Sequence, residues 1–394
     1  MSDKGKKGLL YVISYHHACN DGTLMTLVAL LPILVVEMDL SYSEIGLLGL
    51  GLVITVVFQL VVGNAADRMA SKYLLEIGAA LMAASFMMVL LVNDFVGLFA
   101  AVIAMRLGAS FYHPVGISWI TKVYSGQNLE NSLGVQSGIG NLGVIVALAT
   151  SGYLGEAFGW KTPCVLWAVL NLVAIALGTA AIRAEPLEKT RTTTTAKRPI
   201  TETLKKVAPL SIPVAAGGAL YQVTSYYGPV NLTSMHGWSA GSADLVFAIW
   251  IGVGTITSYY FGRMSHRYGG HAILVWGYLI SAAAAILLFL TAEWYLVVIV
   301  LGAFGAVLFL TYPALFSAVT RATHARERGA AFGLVFGFQL GGGAFVVYLC
   351  GVFADVADNP AVSFLVIAAL GIGSALIIAA SGSARPSEPA PSPD

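Results

Sequence analysis

The feature that most constrains this chain is a series of long apolar stretches separated by short polar loops. A helix needs about 20 predominantly apolar residues to cross the hydrocarbon core of a bilayer. Twelve stretches meet this requirement, with approximate limits 9–36, 43–63, 73–92, 95–121, 131–154, 162–182, 207–231, 243–262, 271–290, 294–319, 328–353 and 361–381. The sequence therefore predicts an all-α membrane protein with twelve transmembrane helices.

The charge content agrees with this assignment. Only 10% of the 394 residues are charged, whereas a soluble domain carries about 25%. So few charges cannot cover a large surface facing water, so most of the surface must face lipid. The net charge of +1 and the lack of an extended basic patch give no sign of nucleic-acid binding. Cys19, Cys164 and Cys350 lie far apart, which excludes a disulfide framework.

Lysine and arginine are concentrated in one of the two sets of loops. The loops that follow even-numbered stretches are basic, whereas the opposite loops are acidic and contain Lys161 as their only lysine or arginine. Because basic loops stay in the cytoplasm, both termini are predicted to be cytoplasmic and the protein to lie in the cell inner membrane.

A polar, threonine-rich segment divides the spans into six and six. We predict a cytoplasmic N-terminus at 1–8, a six-helix bundle at 9–183, a flexible cytoplasmic linker at 184–206, a second bundle at 207–382 and a disordered cytoplasmic tail at 383–394. The two bundles are expected to be pseudo-symmetric, because an offset of 199 residues aligns their most distinctive positions. This offset places Gly63 on Gly262, Arg68 on Arg267, Pro114 on Pro313, Gly138 on Gly337 and Gly143 on Gly342. Parallel repeats of this kind place a substrate site between the halves near the bilayer midplane.

The segment GNAADRMASKY, Gly63 to Tyr73, resembles the loop between helices two and three of the major facilitator superfamily. The segment GRMSHRYGGH is similar to its second copy, with His266 in place of Asp67. The resemblance covers residues 8–382 and implies transport by alternating access. In that family this loop locks the two halves when the inner gate closes, so gating roles are implied for Asp67, Arg68, Lys72 and Arg267. The alternative is a charge cluster that only sets topology.

Three further segments resemble the fosmidomycin-resistance branch of that superfamily: HHACND, FYHPVG and LGVQSGIGNLG. The matching polar residues are His17, Asn20, Asp21, His113, Gln136 and Asn141. Members of this branch are exporters, so the resemblance implies active efflux without fixing the substrate.

Four ionisable residues lie deep inside apolar stretches. His17 and Asp21 are four residues apart and share a helix face, at depths of about 12 and 18 Å. Arg106 and His113 are seven residues apart, again on one face. A charge at such depth costs roughly 2.5–3.5 kcal/mol or more, so these side chains are expected to face a wet cavity. Since helices one and four line the cavity in the family fold, we expect the four residues to form one group.

Each member of this group has a predicted role. Asp21 is expected to pair with Arg106 or to take up a proton. His17 or His113 can carry the coupling proton, because histidine titrates near neutrality. Arg106 can bind an anionic substrate group bidentately. The alternative is a buried pair that only ties helix one to helix four.

The second half carries no charged residue inside helices seven and ten. It offers Tyr221, Gln222, Tyr226 and Tyr312, together with Ser225 and Tyr227. We predict a lopsided cavity that suits an amphiphilic or weakly anionic organic solute. The alternative for these residues, as for Gln136 and Asn141, is hydrogen bonding between helices.

The predicted function is secondary active transport of a small organic solute, with proton-coupled efflux by antiport. Proton-coupled uptake of a small organic anion is the alternative, followed by divalent metal export. His17 and Cys19 point to different helix faces, so no metal site is expected, and no cofactor is implied. The chain has no HExxH motif and no phosphate-binding loop, so an enzyme is not expected. The expected partners are the solute, protons and the lipid bilayer, and the protein is expected to be a monomer.

Overall fold

The computed structural model describes residues 3–66, 69–181, 200–291, 293–323 and 328–381. Within these ranges, twelve helices are long and apolar enough to cross a membrane, which confirms the predicted all-α fold. We number them α1 (Gly5–Glu37), α2 (Tyr42–Gly63), α3 (Ser71–Leu91), α4 (Phe95–Val123), α5 (Gly126–Phe158), α6 (Lys161–Ala180), α7 (Thr201–His236), α8 (Ala240–Tyr259), α9 (Gly270–Leu290), α10 (Trp294–Ala322), α11 (Ala331–Ala357) and α12 (Val362–Ala380).

The twelve helices form two bundles with the same arrangement. In the first half α1 packs against α5 and α6, and in the second half α7 packs against α11 and α12. The halves meet through two equivalent pairs of helices, α5 with α8 and α11 with α2. The fold therefore has the pseudo-symmetry that the repeat predicts.

Two faces of the bundle must be distinguished. We call the face where α1 begins and α12 ends the near face, and the face with the short loops 38–41, 159–160, 237–239 and 358–361 the far face. At the far face the halves touch, because a methyl group built on Gly152 of α5 or Gly351 of α11 would overlap atoms of the opposite half. At the near face they are apart, since a methyl group on Gly138 or Gly337 of the same helices would meet nothing within 4 Å. The space between the halves is thus closed at the far face and open toward the near face.

The apolar core follows the same division. One continuous cluster includes Leu30 and Leu148 of the first half and Trp250 and Phe304 of the second. A separate cluster near the start of α1 contains residues of the first half alone, among them Trp119. Shared packing thus lies away from the near face.

Three helices that the sequence predicts as continuous are interrupted. The second span consists of Tyr42–Leu50 and Leu52–Ala65, separated at Gly51. The fourth span consists of Phe95–Ala109 and Tyr112–Val123, because Pro114 lies in the first turn of the second segment and cannot continue a helix from the residues before it. The eleventh contains a π-helical turn, Phe338–Gly342, between two α-helical segments. Gln222 of α7 donates to the Leu340 carbonyl oxygen in this turn at 3.2 Å, so the turn lies at the contact between the two helices.

The connections place the remaining predicted segments. The helix that contains α7 begins at Ile200, inside the predicted linker 184–206, and residues 182–199 lie outside the described ranges. The predicted tail 383–394 also lies outside them. A short helix, Phe261–Tyr268, connects α8 to α9 and carries the second copy of the loop motif.

Candidate transport site

A cavity of about 230 Å³ lies between the two halves. Its polar lining comes from both: Asp21, Thr55, Gln59, Arg106 and His113 from the first half, and Tyr221, Gln222, Ser225, Tyr226, Tyr312 and Gln339 from the second. The acidic, basic and histidine side chains in this described lining all come from the first half. This is the unequal distribution of charge that the sequence predicts for the cavity.

Asp21 is the centre of a hydrogen-bonded group on the cavity wall. Its Oδ2 lies 3.0 Å from Nε2 of His17, and its Oδ1 lies 3.6 Å from Nε2 of His113. Asn20 donates its side-chain N–H to Oδ1 of Asp21 at 2.8 Å. His17 is enclosed, whereas the side chain of His113 is 41% exposed. His113 is therefore the member of the group that solute and water reach most easily.

The contacts of His17 restrict where a proton can sit. Its Nδ1 faces the backbone carbonyl oxygen of Gln136 at 3.0 Å, and its Nε2 faces the Asp21 carboxyl group. A carbonyl oxygen only accepts, so Nδ1 must carry a proton. Nε2 then either carries a second proton and donates to the Asp21 carboxylate, or accepts one from the neutral carboxyl group. In both cases one exchangeable proton is held between His17 and Asp21.

Packing fixes the orientation of the His17 ring. Tyr112 stacks on it with centroids 4.4 Å apart and an interplanar angle of 14°. The Tyr112 hydroxyl donates to Oε1 of Gln136 at 2.9 Å. Gly140 of α5 lies against the other side of the ring, where a methyl group would overlap it. This wall holds His17 in contact with Asp21, and Tyr112 is a part of it to which the sequence analysis gave no role.

Arg106 does not make the predicted ion pair with Asp21. Its Nη2 donates to the Tyr226 hydroxyl at 2.6 Å, while its Nε has no hydrogen-bond partner. The pair is absent in this conformation because Asp21 is already bound by both histidines and Asn20. Arg106 is buried and carries a guanidinium charge that no carboxylate neutralises by direct contact. Its bond to Tyr226 links the two halves across the cavity.

The opposite wall is aromatic and rigid. Tyr221 stacks on Trp250 with centroids 5.4 Å apart, and the Tyr312 hydroxyl donates to the Gly217 carbonyl oxygen at 3.2 Å. The side-chain N–H of Gln222 donates to the Leu340 carbonyl oxygen in the π-helical turn. Its Oε1 is buried without a hydrogen-bond partner. This wall presents ring faces and one unoccupied acceptor.

The remaining predicted residues lie elsewhere. Asn141 donates to Thr255 of α8 at 3.1 Å and so bridges the halves outside the cavity lining. Lys72 lies 3.9 Å from Glu76 within the first half, and Arg267 lies over the Tyr268 ring at 5.2 Å. Asp67 and Arg68 lie outside the described residues.

Sequence reasoning missed Thr55 and Gln59 of α2, which line the cavity. Their four-residue spacing in an otherwise apolar span places them on one helix face and was an available clue.

One cation site is geometrically possible. The ligand atoms of His17, Asp21 and His113 lie within 4.8 Å of one another, so two imidazoles and a carboxylate could hold a divalent ion. Cys19, the thiol considered at the sequence level, points away and contacts the Leu170 carbonyl oxygen. His17 and Asp21 already contact each other at 3.0 Å, whereas His113 lies 3.6 Å from Asp21.

Comparison with known proteins agrees with the fold and the motifs. The model of the Major Facilitator Superfamily matches residues 17–347. The fosmidomycin resistance protein of Escherichia coli (strain K12) is 24% identical over 370 residues, which cover 88% of this chain and 86% of that protein. The uncharacterized MFS-type transporter YfnC of Bacillus subtilis (strain 168) is 24% identical over 294 residues, covering 71% of this chain and 70% of that protein.

Solved structures show the same fold. A mutant of the nucleoside transporter NupG superposes with a TM-score of 0.84 at 16% identity and covers 95% of this chain and 99% of that one. A bacterial homolog of the human lysosomal transporter Spinster, inward-facing and occupied, gives 0.81 at 15% identity and covers 98% of both chains. This chain therefore belongs to the Major Facilitator Superfamily, with similarity to the fosmidomycin-resistance branch, and is a multi-pass membrane transporter of small solutes rather than an enzyme.

Proposed function

We propose that the protein exports a small organic solute in exchange for protons. The observation that carries this proposal is the 3.0 Å contact between Nε2 of His17 and Oδ2 of Asp21, which can hold an exchangeable proton, at the wall of a cavity that also contains the Arg106 guanidinium. The protein would act as a monomer in the cytoplasmic membrane, with both termini inside the cell.

The substrate would carry an anionic or strongly accepting group and, separately, a hydrogen-bond donor. Among the described residues that line the cavity, Arg106 is the only lysine or arginine, and its unpartnered Nε–H leaves it able to bind an acceptor. Asp21 offers an acceptor to a substrate hydroxyl or ammonium group. The aromatic wall around Tyr221 would cover the apolar part of the molecule.

Exchange follows if the proton and the substrate donor compete for Asp21. A protonated carboxyl group has lost the negative charge that attracts a donor, so proton binding weakens substrate binding at this point. Release of the substrate then favours binding of a proton, and release of the proton favours binding of the substrate. This mutual exclusion is the thermodynamic requirement for antiport.

The direction of transport is supported by the similarity to the fosmidomycin resistance protein, since a resistance function requires removal of the compound from the cell. Fosmidomycin is therefore the first probe, followed by small carboxylates and phosphonates.

Purified protein in liposomes, with membrane potential clamped by potassium and valinomycin, tests the proposal. Antiport predicts that an acidic interior accelerates accumulation of the labelled probe inside the liposome. Acceleration by an acidic exterior would instead indicate proton-coupled uptake in the same direction. Transport that responds to neither gradient would contradict proton coupling.

A further inference from the structure

The two halves are joined at the far face by a carboxylate from each. Glu156, near the end of α5, accepts the backbone N–H groups of Ala240 at 2.6 Å and Gly241 at 3.4 Å. Asp355, near the end of α11, accepts those of Tyr42 at 2.7 Å and Ser43 at 2.9 Å. Each carboxylate thus binds the first turn of a helix in the opposite half, where free N–H groups and the helix dipole favour a negative charge.

These two junctions are built from one repeated pattern. Glu156 and Asp355 are related by the same offset of 199 residues that relates the halves, and so are Gly152 and Gly351, one helical turn earlier. Both glycines lie against the first turn of the opposite helix. We call them the α5–α8 junction and the α11–α2 junction.

The junctions differ at one buried position. The fifth residue of α8 is Asp244, which is 0% exposed, and neither of its carboxyl oxygens has a hydrogen-bond partner. The fifth residue of α2 is Gly46. The space beside Gly46 holds the Tyr227 hydroxyl, which lies 3.0 Å from the carbonyl oxygens of Tyr42 and Val347. A neutral, hydrogen-bonded group therefore occupies the place where the α5–α8 junction has a carboxyl group.

The surroundings of Asp244 cannot stabilise a negative charge. Among the described residues no donor reaches its oxygens, its side chain has no exposed surface, and Glu156 brings a second carboxylate on the facing helix. On the helices packed against α8, the other titratable or charged groups near this face are Glu37 where α1 ends, Tyr153 in α5, His236 where α7 ends, and Glu293 and Tyr295 where α10 begins. Burial without donors and a like-charged neighbour both disfavour the ionised form, so the protonated carboxyl group fits the closed junction.

We propose that Asp244 is a second proton-binding site, which is loaded while the far face is closed and releases its proton to the far-side solution when the α5–α8 junction opens. On opening, water reaches the carboxyl group, its O–H bond ionises and the proton passes to that water. Protonation therefore favours the closed far face, and acid on the far side opposes opening. The inference rests on the alternating access of the family and not on the role proposed for Asp21.

Spin labels on exposed residues can follow the opening. Phe158 at the end of α5 and Met235 at the end of α7 are both exposed at the far face and belong to opposite halves. The distance between labels at these positions is to be measured in proteoliposomes while only the far-side pH is varied. The experiment is done in the Asp21→Asn variant, which lacks the carboxyl group of the cavity. Its result therefore does not depend on whether Asp21 couples transport to protons.

Release of one proton on opening changes the ratio of open to closed molecules by up to about tenfold per pH unit. We expect this dependence to persist in Asp21→Asn and to disappear in Asp21→Asn/Asp244→Asn, with the far face closed at all pH values. Persistence of the dependence without Asp244 would overturn the proposal.

Infrared difference spectra provide a second measurement. In the Asp21→Asn background the closed protein should show the band of a protonated carboxylic acid, and Asp244→Asn should remove it, whereas the matched variant Tyr227→Phe at the α11–α2 junction should retain it. A spectrum unchanged by Asp244→Asn would show that the group is ionised when closed and would equally overturn the proposal.

Discussion

The two halves of the protein share one fold but not one chemistry. At the offset of 199 residues, the first half has His17, Asp21, Arg106 and His113 where the second has Ala216, Leu220, Gly305 and Tyr312. The wall with these four residues of the first half, here called the ionic wall, is the one proposed to exchange protons and bind charge. The opposite wall presents aromatic rings, and its Tyr312 hydroxyl donates to the Gly217 carbonyl oxygen of the same half. The repeat therefore preserves the contacts between the halves, while among the described residues the first half alone supplies the charged groups that line the cavity.

The largest expected effect comes from Asp21→Asn. The amide cannot take part in proton exchange with His17, so accumulation driven by a pH gradient should fall to the level of protein-free liposomes. Exchange of labelled for unlabelled probe needs no net proton movement and should continue. Leu220→Asn, at the equivalent position of the second half, should leave gradient-driven transport in place. Normal gradient-driven transport by Asp21→Asn would show that the cavity carboxyl group present in the first half alone is not needed for proton coupling.

The next effect concerns charge recognition by Arg106. Arg106→Lys keeps the positive charge but loses the planar fork, and hydrogen bonds to charged groups contribute about 1.5–3 kcal/mol each. The concentration of an anionic probe at half-maximal transport should therefore rise about ten- to hundredfold, as measured by initial rates. A probe without the anionic group should show little change, and an equal loss for both probes would argue that Arg106 only supports the fold.

Glycines at the junctions test the symmetry of the closed state. A methyl group in Gly152→Ala or Gly351→Ala overlaps the opposite half, and such overpacking costs about 1–3 kcal/mol. Both variants should shift the labels at Phe158 and Met235 toward longer distances by a similar amount. Gly138→Ala and Gly337→Ala, which meet open space, should not. A shift in only one of the junction variants would show that the far face opens asymmetrically.

The sequence predicted the architecture well because the bilayer restricts what it can contain. Long apolar stretches, basic loops and the repeat were sufficient for twelve helices in two bundles, and helical spacing correctly placed His17 with Asp21. Tertiary packing decided the rest. The break before Pro114 and the π-helical turn at 338–342 change the direction of side chains, and Arg106 found Tyr226 rather than Asp21 because Asp21 is bound by the histidines. Nothing in the sequence indicated the roles of the junction carboxylates Glu156 and Asp355, since their partners are backbone groups that no side-chain motif reveals.

The smallest expected effect separates two adjacent tyrosines of α7. The Tyr226 hydroxyl accepts from Arg106 across the cavity, whereas the Tyr227 hydroxyl donates to backbone carbonyl oxygens at the α11–α2 junction. Loss of one such bond changes a free energy by about 0.5–1.5 kcal/mol. Tyr226→Phe should therefore change the half-maximal concentration of an anionic probe about two- to tenfold without lowering the melting temperature. Tyr227→Phe removes a buried hydroxyl that joins Tyr42 and Val347 and should lower the melting temperature while the probe affinity stays the same. If both variants changed the probe affinity equally, Tyr227 would also contribute to binding of the anionic probe, and the difference between the two tyrosines would be wrong.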